Sequence, residues 1–331
     1  MSDQIIETDL SIVIVNWNTQ ALLDACLASV FRHLGDLSIQ VIVIDNGSTD
    51  GSVALVQSTY PQVELIQNSA NRGFAAANNQ AFGQCRGRYW LLLNTDTEIL
   101  DNVLINCVRA LDKEANVGAL GCQVLNTDGS RQISDRPFPG LRYLSAKLLG
   151  LHKFMPKPAI ADVSADAPMR DVETLSGCFL MVRRQAVEAI GPMDASYFFF
   201  GEETEWCMRF RAGGWRVCQA PLGNITHHGG GSSKPLSYKR DVMLTEAIIR
   251  LHHQCRGAMS ARLAWFLLMK FNTSRAVFWG TIGWLLKPAI AADRARHFWQ
   301  VSKAVPTLWQ ATSGATIGAP TPNRLEDPEA A

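Results

Sequence analysis

Tyr89 to Glu98 reads YWLLLNTDTE, a short apolar run that stops abruptly at Asn94-Thr95-Asp96. A run of this length bounded by polar residues predicts a buried strand whose carboxyl end opens into a crevice, where open α/β sheets place their ligands. Asp96 then stands at the strand's mouth. A carboxylate there, with an amide two residues earlier, offers hard oxygen atoms to a divalent cation, and such a cation can hold a diphosphate. The same triplet equally suits a turn that caps a helix beginning near Asn102.

Upstream, Leu10 to Val15 (LSIVIV) is continuous and β-branched, as buried parallel strands are, and it ends in Asn16-Trp17-Asn18. Gln20 to His33 has apolar residues at helical spacing. Ile39 to Ile44 predicts a second strand ending in Asp45-Asn46-Gly47-Ser48-Thr49-Asp50-Gly51, and a helix over Ser52 to Ser58 follows. Val63 to Gln67 reads as a third strand, followed by Asn71-Arg72-Gly73-Phe74 and a small-residue helix through about Gly83. With Trp90 to Leu93 as the fourth strand, the alternation indicates βαβ units and a mostly parallel sheet. Three of the four strands end in Asn or Asp, and the carboxyl ends of parallel strands share one edge. Neither G-x-G-x-x-G nor G-x-x-x-x-G-K-[ST] occurs, which argues against a dehydrogenase or a P-loop enzyme.

Downstream, Asp101 to Glu114 predicts a helix and Val117 to Leu125 a strand. Asn126 to Ala167 is rich in Pro, Gly and charge and reads as a long functional loop, interrupted at Leu141 to Leu151. Glu173 to Arg183 resumes strand character, Gln185 to Ile190 is a short helix, and a second helix runs from Glu202 to Ala212. Trp215 to Ala220 reads as a strand that stops before Pro221. Lys239 to Arg256 is helical. Met259 to Ile290 is apolar and aromatic with basic interruptions, which suits helices lying in a membrane interface, a helical subdomain packed on the sheet, or one packed on a second subunit. The expected organisation is a domain over 1–234, a helical extension over 235–311 and a disordered tail over 312–331.

The 331 residues carry 31 basic and 30 acidic side chains, so no basic face speaks for nucleic acid. The 8 cysteines are scattered without zinc spacing and read as reduced, buried residues of a cytosolic protein. The acidic start MSDQIIETDL does not read as a secretory signal, and no stretch of about 18 apolar residues predicts a membrane span.

Seven motifs, in order, resemble the family 2 glycosyltransferases with a GT-A fold, the rhamnosyltransferases in particular. They are VIVNWN (Val13 to Asn18), VIVIDNGSTDGS (Val41 to Ser52), NRGFAAANN (Asn71 to Asn79), LLLNTDTE (Leu91 to Glu98), SGCFLMVRR (Ser176 to Arg184), FFGEETEWCMRFRAGGW (Phe199 to Trp215) and HHGGGSS (His227 to Ser233). The resemblance runs from Ile12 to about Ser233. It implies a Rossmann-like, mostly parallel sheet flanked by helices and an inverting transfer of a sugar from a nucleotide donor to a glycan or lipid-linked acceptor. L-rhamnose from dTDP-rhamnose is the implied donor, because the Asn-Thr-Asp form occurs among deoxysugar transferases. UDP-galactofuranose or UDP-N-acetylhexosamine is the alternative, and a non-catalytic sugar-nucleotide-binding subunit is another.

By the same resemblance Asp45 reads the nucleotide base with Trp17 near enough to stack, and Arg72 and Asn78 face the nucleotide and its phosphates. Asn94, Thr95 and Asp96 occupy the D-x-D metal motif, with Asn in place of the first Asp. Asp96 and His227 then ligate Mn2+ or Mg2+. Ser176, Gly177 and Trp206 fall near the sugar or acceptor. The general base of the family is the second acid of a Glu-Asp pair, here Glu203 of Glu202-Glu203; adjacent acids at a helix start also stabilise the helix dipole by roughly 0.3–1 kcal/mol. The implied location is peripheral, on the cytoplasmic face of a membrane, with a homo-oligomer possible.

Overall fold

A computed structural model describes residues 8–154, 162–229 and 238–313. The chain runs β1 (Leu10–Asn16), α1 (Gln20–Arg32), β2 (Ile39–Asp45), α2 (Ser52–Thr59), β3 (Glu64–Gln67), α3 (Phe74–Phe82), β4 (Tyr89–Asn94), β5 (Thr97–Ile99), α4 (Val103–Lys113) and β6 (Val117–Leu125). Then come β7 (Arg131–Gln132), β8 (Asp135–Arg136), α5 (Leu141–Leu148), β9 (Arg170–Asp171), β10 (Thr174–Leu175), β11 (Phe179–Arg183), α6 (Arg184–Ile190), α7 (Glu202–Ala212) and β12 (Arg216–His227). Four helices close the described chain: α8 (Tyr238–Arg256), α9 (Ala258–Gly280), α10 (Ile282–Leu286) and α11 (Pro288–Ser313).

The main sheet has the order β3-β2-β1-β4-β11-β6-β12-β5. Its first four strands are parallel, β11 runs antiparallel between β4 and β6, and β12 is parallel to β6. Alternation explains the unbroken apolar runs. Ile12, Ile14, Leu91 and Leu93 pack on one face with α1 and α4, while Val13, Ile42, Ile44 and Leu92 pack on the other with α3 and α7. With both faces covered, the strands are apolar along most of their length, and the exceptions near the start of β1 and β2, Ser11 and Gln40, are buried and hydrogen-bonded to each other at 2.7 Å. All eight cysteines are free thiols, and seven are buried.

Three predicted features come out differently. Asn94-Thr95-Asp96 does not cap a helix: it turns the chain from β4 into β5, and the cap residue of α4 is Asn102. The segment after Asn126 is not a plain loop, for β7 pairs with β6, β8 pairs with β10, and α5 follows. The strand predicted to stop before Pro221 continues to His227. Proline interrupts a ladder because it lacks an N–H, but here the register shifts between Gln219 and Asn224, and such a bulge absorbs it. The Asp101 carboxylate then accepts hydrogen bonds from the Asn224 backbone N–H (2.9 Å) and side-chain amide (3.0 Å), holding the resumed strand beside β5.

Chain contacts define two units, whose described residues are 8–138, 162–194 and 202–229 in one and 139–154, 195–201 and 238–313 in the other. The second has its own small core, in which Leu144, Ile248, Ile249, Ala264, Leu268 and Leu308 meet. No helix among the described residues is long and apolar enough to cross a membrane. The expected disordered tail lies outside the described residues from 314 onward.

Candidate active site

The carboxyl ends of β1, β2 and β4 are in register, Asn16 opposite Asp45 and Val15 opposite Asn94. Asp45 is only 2% exposed, and both its oxygens hold the strand ends together. One accepts from the Ser48 N–H (2.9 Å) and the other from the Asn16 amide (3.0 Å). Trp17, in the next turn, is 41% exposed and presents an indole face, while Asn18 takes a positive φ of 52° and accepts from the Thr49 N–H at 2.8 Å. Gly47 is required in this loop: its φ is +86°, and a Cβ there would stand 2.8 Å from the Ala70 Cα.

Asn46, next along, fixes the loop before α3. Its amide donates to Asn71 Oδ1 (2.8 Å) and its carbonyl oxygen accepts from the Arg72 N–H (3.0 Å), leaving the Arg72 side chain exposed. Asn78 is buried in α3; its amide donates to the Phe74 carbonyl at 2.9 Å, and its Oδ1 has no hydrogen-bond partner among the described residues. Gly177 lies against the start of α3, since a Cβ on it would meet the Phe74 ring at 3.3 Å. Ser176 donates its N–H to the Ser134 carbonyl (2.7 Å), and the Asn94 N–H is given to the Cys178 carbonyl (3.2 Å). The Arg72 loop, the Ser176-Gly177 segment and the β4 mouth are thus neighbours. Thr95 is buried, its hydroxyl 3.1 Å from that of Thr19.

β12 pairs with β5 so that His227 faces Thr97, and this brings His227 Nε2 to 3.2 Å from Asp96 Oδ1. The other ring nitrogen, Nδ1, is 2.6 Å from Gln132 Oε1 on β7. Both facing oxygens can only accept, so a proton on Nδ1 serves Gln132, while Nε2 either donates to Asp96 or, with a cation between them, would offer its lone pair to that cation. Ligand atoms about 2.1 Å from a cation on adjacent octahedral corners lie about 3 Å apart, so the pair fits one Mg2+- or Mn2+-sized ion. No third His, Cys, Asp or Glu joins them among the described residues. Diphosphate and water oxygens would complete such a shell, the usual arrangement for a phosphate-bound cation. His228 makes a separate contact with Glu98 at 2.7 Å.

The acids at the start of α7 differ in environment. Glu202 is buried, with an Oε2 that has no hydrogen-bond partner among the described residues, and burial followed by the neighbouring Glu203 pushes its carboxyl well above the ordinary range. Glu203 is half-buried. It shares a neighbour with Asp96: the Cys178 thiol is pushed up to about 11, first by burial and then, against a bond to Ser176, by the charges of those two acids. Glu205 accepts from Arg209 at 2.7 Å, and Arg209 also donates to the Ile190 and Pro192 carbonyls, so this acid braces the helix.

A pH dependence follows for Glu202. A carboxyl raised in the folded state keeps its proton while the unfolded chain releases it, so stability is lost as pH rises from the ordinary carboxylate range through the folded value. Glu202→Gln removes that loss. The stability difference between variant and wild type should widen in the variant's favour by about 1.4 kcal/mol per pH unit across the window, and be flat below it. Urea titrations from pH 4 to pH 8 measure this, and parallel curves would show that Glu202 carries no raised carboxyl.

Trp206 lies in the core beneath α7. Its side chain is fully buried, stacks with Phe82 at 5.7 Å and donates its indole N–H to the Gly191 carbonyl at 3.0 Å. It seats α7 on the sheet, with its side chain closed off from solvent. Asn46 and Gln132, by contrast, were not among the expected site residues. Asn46 could have been found as a second polar residue at the end of β2; Gln132 has no sequence signal, lying in a two-residue strand within an apparent loop.

A mixed sheet of this order, with an Asn-Thr-Asp turn at the mouth of β4 and helices on both faces, is that of a GT-A glycosyltransferase. The chain belongs to glycosyl transferase family 2, whose profile matches residues 11–191. It is 29% identical over 240 residues to an N-acetylglucosaminyl-diphospho-decaprenol L-rhamnosyltransferase of Mycobacterium tuberculosis, covering 68% of this chain and 77% of that one. It is 23% identical to a low-salt glycan biosynthesis hexosyltransferase of Haloferax volcanii, covering 66% and 67%. The fold is similar to the mannosyltransferase PcManGT from Pyrobaculum calidifontis, solved with GDP-Man and Mn2+ (TM-score 0.54, 15% identity, 93% and 87% covered). It is also similar to GalNAc-T7, solved with UDP, GalNAc and Mn2+ (TM-score 0.55, 14% identity, 75% and 48% covered).

Proposed function

We propose that this glycosyltransferase moves L-rhamnose from dTDP-rhamnose, with inversion, onto a lipid-linked glycan at the cytoplasmic face of a membrane. The observation that supports transfer best is the approach of His227 Nε2 to Asp96 Oδ1, 3.2 Å apart, at the mouth of β4. The choice of sugar and acceptor is supported by the mycobacterial rhamnosyltransferase, similar over most of its length. Glu203 takes the proton of the acceptor hydroxyl as its oxygen forms the new bond to the anomeric carbon and the bond to the diphosphate breaks. Arg72 and the crevice amides hold the nucleoside diphosphate, and Trp17 stacks on the base. A divalent cation on Asp96 and His227 would supply charge neutralisation for the leaving phosphates.

The donor is tested by thermal denaturation with Mn2+ and a panel of dTDP-rhamnose, UDP-galactofuranose, UDP-N-acetylglucosamine and GDP-mannose. A ligand that binds only the folded state stabilises it by about 2.7 kcal/mol at one hundred times its dissociation constant. The largest rise is expected with dTDP-rhamnose. An equal or larger rise with a UDP sugar would assign the runner-up donor, and no rise with any would point to a chain that binds no nucleotide sugar.

A further inference from the structure

The closing helices concentrate positive charge. From Ala258 to Ser313 there are seven Lys and Arg and a single acid, Asp293, whereas the whole chain has a net charge of only +1. The same helices expose large apolar groups. Met259, Leu263, Phe266 and Val277 recur at helical spacing on the outward side of α9, and the short α10 projects Ile282, Trp284, Leu285 and Leu286, the last two 76% and 66% exposed. Several cations sit on aromatic rings: Lys270 Nζ is 5.4 Å from the Phe266 centroid and Lys303 Nζ is 5.6 Å from that of Trp299. Cations in such positions lay their stems on apolar surface and keep their charge at its rim. A groove of about 370 Å³, lined by Ala276, Val277, Ala295, Arg296 and Trp299, runs between α9 and α11.

We infer that the outward face of α9, α10 and the first half of α11 is a docking surface for an anionic phospholipid bilayer. It lies on the membrane rather than spanning it, with the α10 tip among the acyl chains, the flanking cations on lipid phosphates and the α9–α11 groove along one acyl chain. Charge selects this occupant over a second copy of the chain. Pairing two copies through this face would bring two strongly positive surfaces together at close range, whereas a leaflet of anionic lipid neutralises both features at once. The inference goes beyond the transfer reaction and does not depend on which sugar is moved.

The test is flotation of the full chain with vesicles of phosphatidylcholine alone or with one third phosphatidylglycerol, at 0.1 M and 1 M NaCl. Partition onto the anionic vesicles should exceed that onto the neutral ones at least about tenfold at low salt and fall severalfold at high salt. The pair of substitutions Trp284→Glu and Leu285→Glu, both at exposed positions, should reduce anionic-vesicle partition at least about tenfold and leave the circular dichroism melt and transfer to a soluble acceptor unchanged. Equal binding to both vesicle types, or none, overturns the inference, and that comparison needs no variant. A wild-type dimer without lipid that the paired substitutions dissociate would assign the face to a second copy instead. Loss of sugar transfer with vesicle binding intact would count only against the proposed reaction.

Discussion

Glu203→Gln is expected to lower transfer to the acceptor by a factor on the order of 10²–10⁴ while leaving donor affinity and fold intact. The substitution keeps the size and hydrogen-bonding reach of the side chain and removes only its ability to take a proton. Single-turnover transfer, with donor binding measured by the thermal shift, separates the two effects. Glu202→Gln is the control, because burial and the neighbouring Glu203 favour the protonated form of its carboxyl. Its transfer should fall less. A helix-dipole role for Glu203 predicts a stability change below about 1 kcal/mol with near-normal turnover. If Glu203→Gln keeps most of its activity and Glu202→Gln loses it, the base is the buried residue.

Asp96→Ala and His227→Ala are each expected to reduce transfer by about 10³-fold or more, since charge neutralisation on a leaving diphosphate is worth several kcal/mol. EDTA should do the same to the wild type, and added Mn2+ should restore it. The supporting residue has a graded effect. Gln132→Ala leaves both ligands in place but releases His227 from its 2.6 Å contact, so it should weaken the Mn2+ requirement curve by about 10–100-fold and be rescued by excess metal. Direct Mn2+ binding in the presence of dTDP, followed by calorimetry, gives a readout independent of turnover. Full activity in EDTA would remove the cation from the reaction, and the Asp96–His227 contact would then stand as an ordinary pair bracing β5 against β12.

The parallel half of the sheet was legible because burial on both faces leaves a nearly continuous apolar run, and Ile12 to Val15, Val41 to Ile44 and Tyr89 to Leu93 are such runs. Their polar endings at Asn16, Asp45 and Asn94 marked the edge where the strands give way to the loops that form the crevice. Family motifs then assigned Asp96, Glu203 and His227 to one site although up to 131 positions separate them in the chain. What escaped reading depends on partners distant in sequence. Pro221 looks like a strand's end until a bulge and the Asp101 carboxylate carry β12 on to His227, and only then does His227 come opposite Thr97 and within reach of Asp96.

Local pattern therefore determined the βαβ core, the edge that holds the site and the residue types gathered there. Tertiary structure alone decided that Trp206 is core, that Gln132 orients His227, and that Glu202 is sealed away while its neighbour Glu203 is half open. Adjacent residues on a helix point in directions about 100° apart, so which of two acids is desolvated is set by the surface the helix packs against, and no feature of the pair Glu202-Glu203 itself records it.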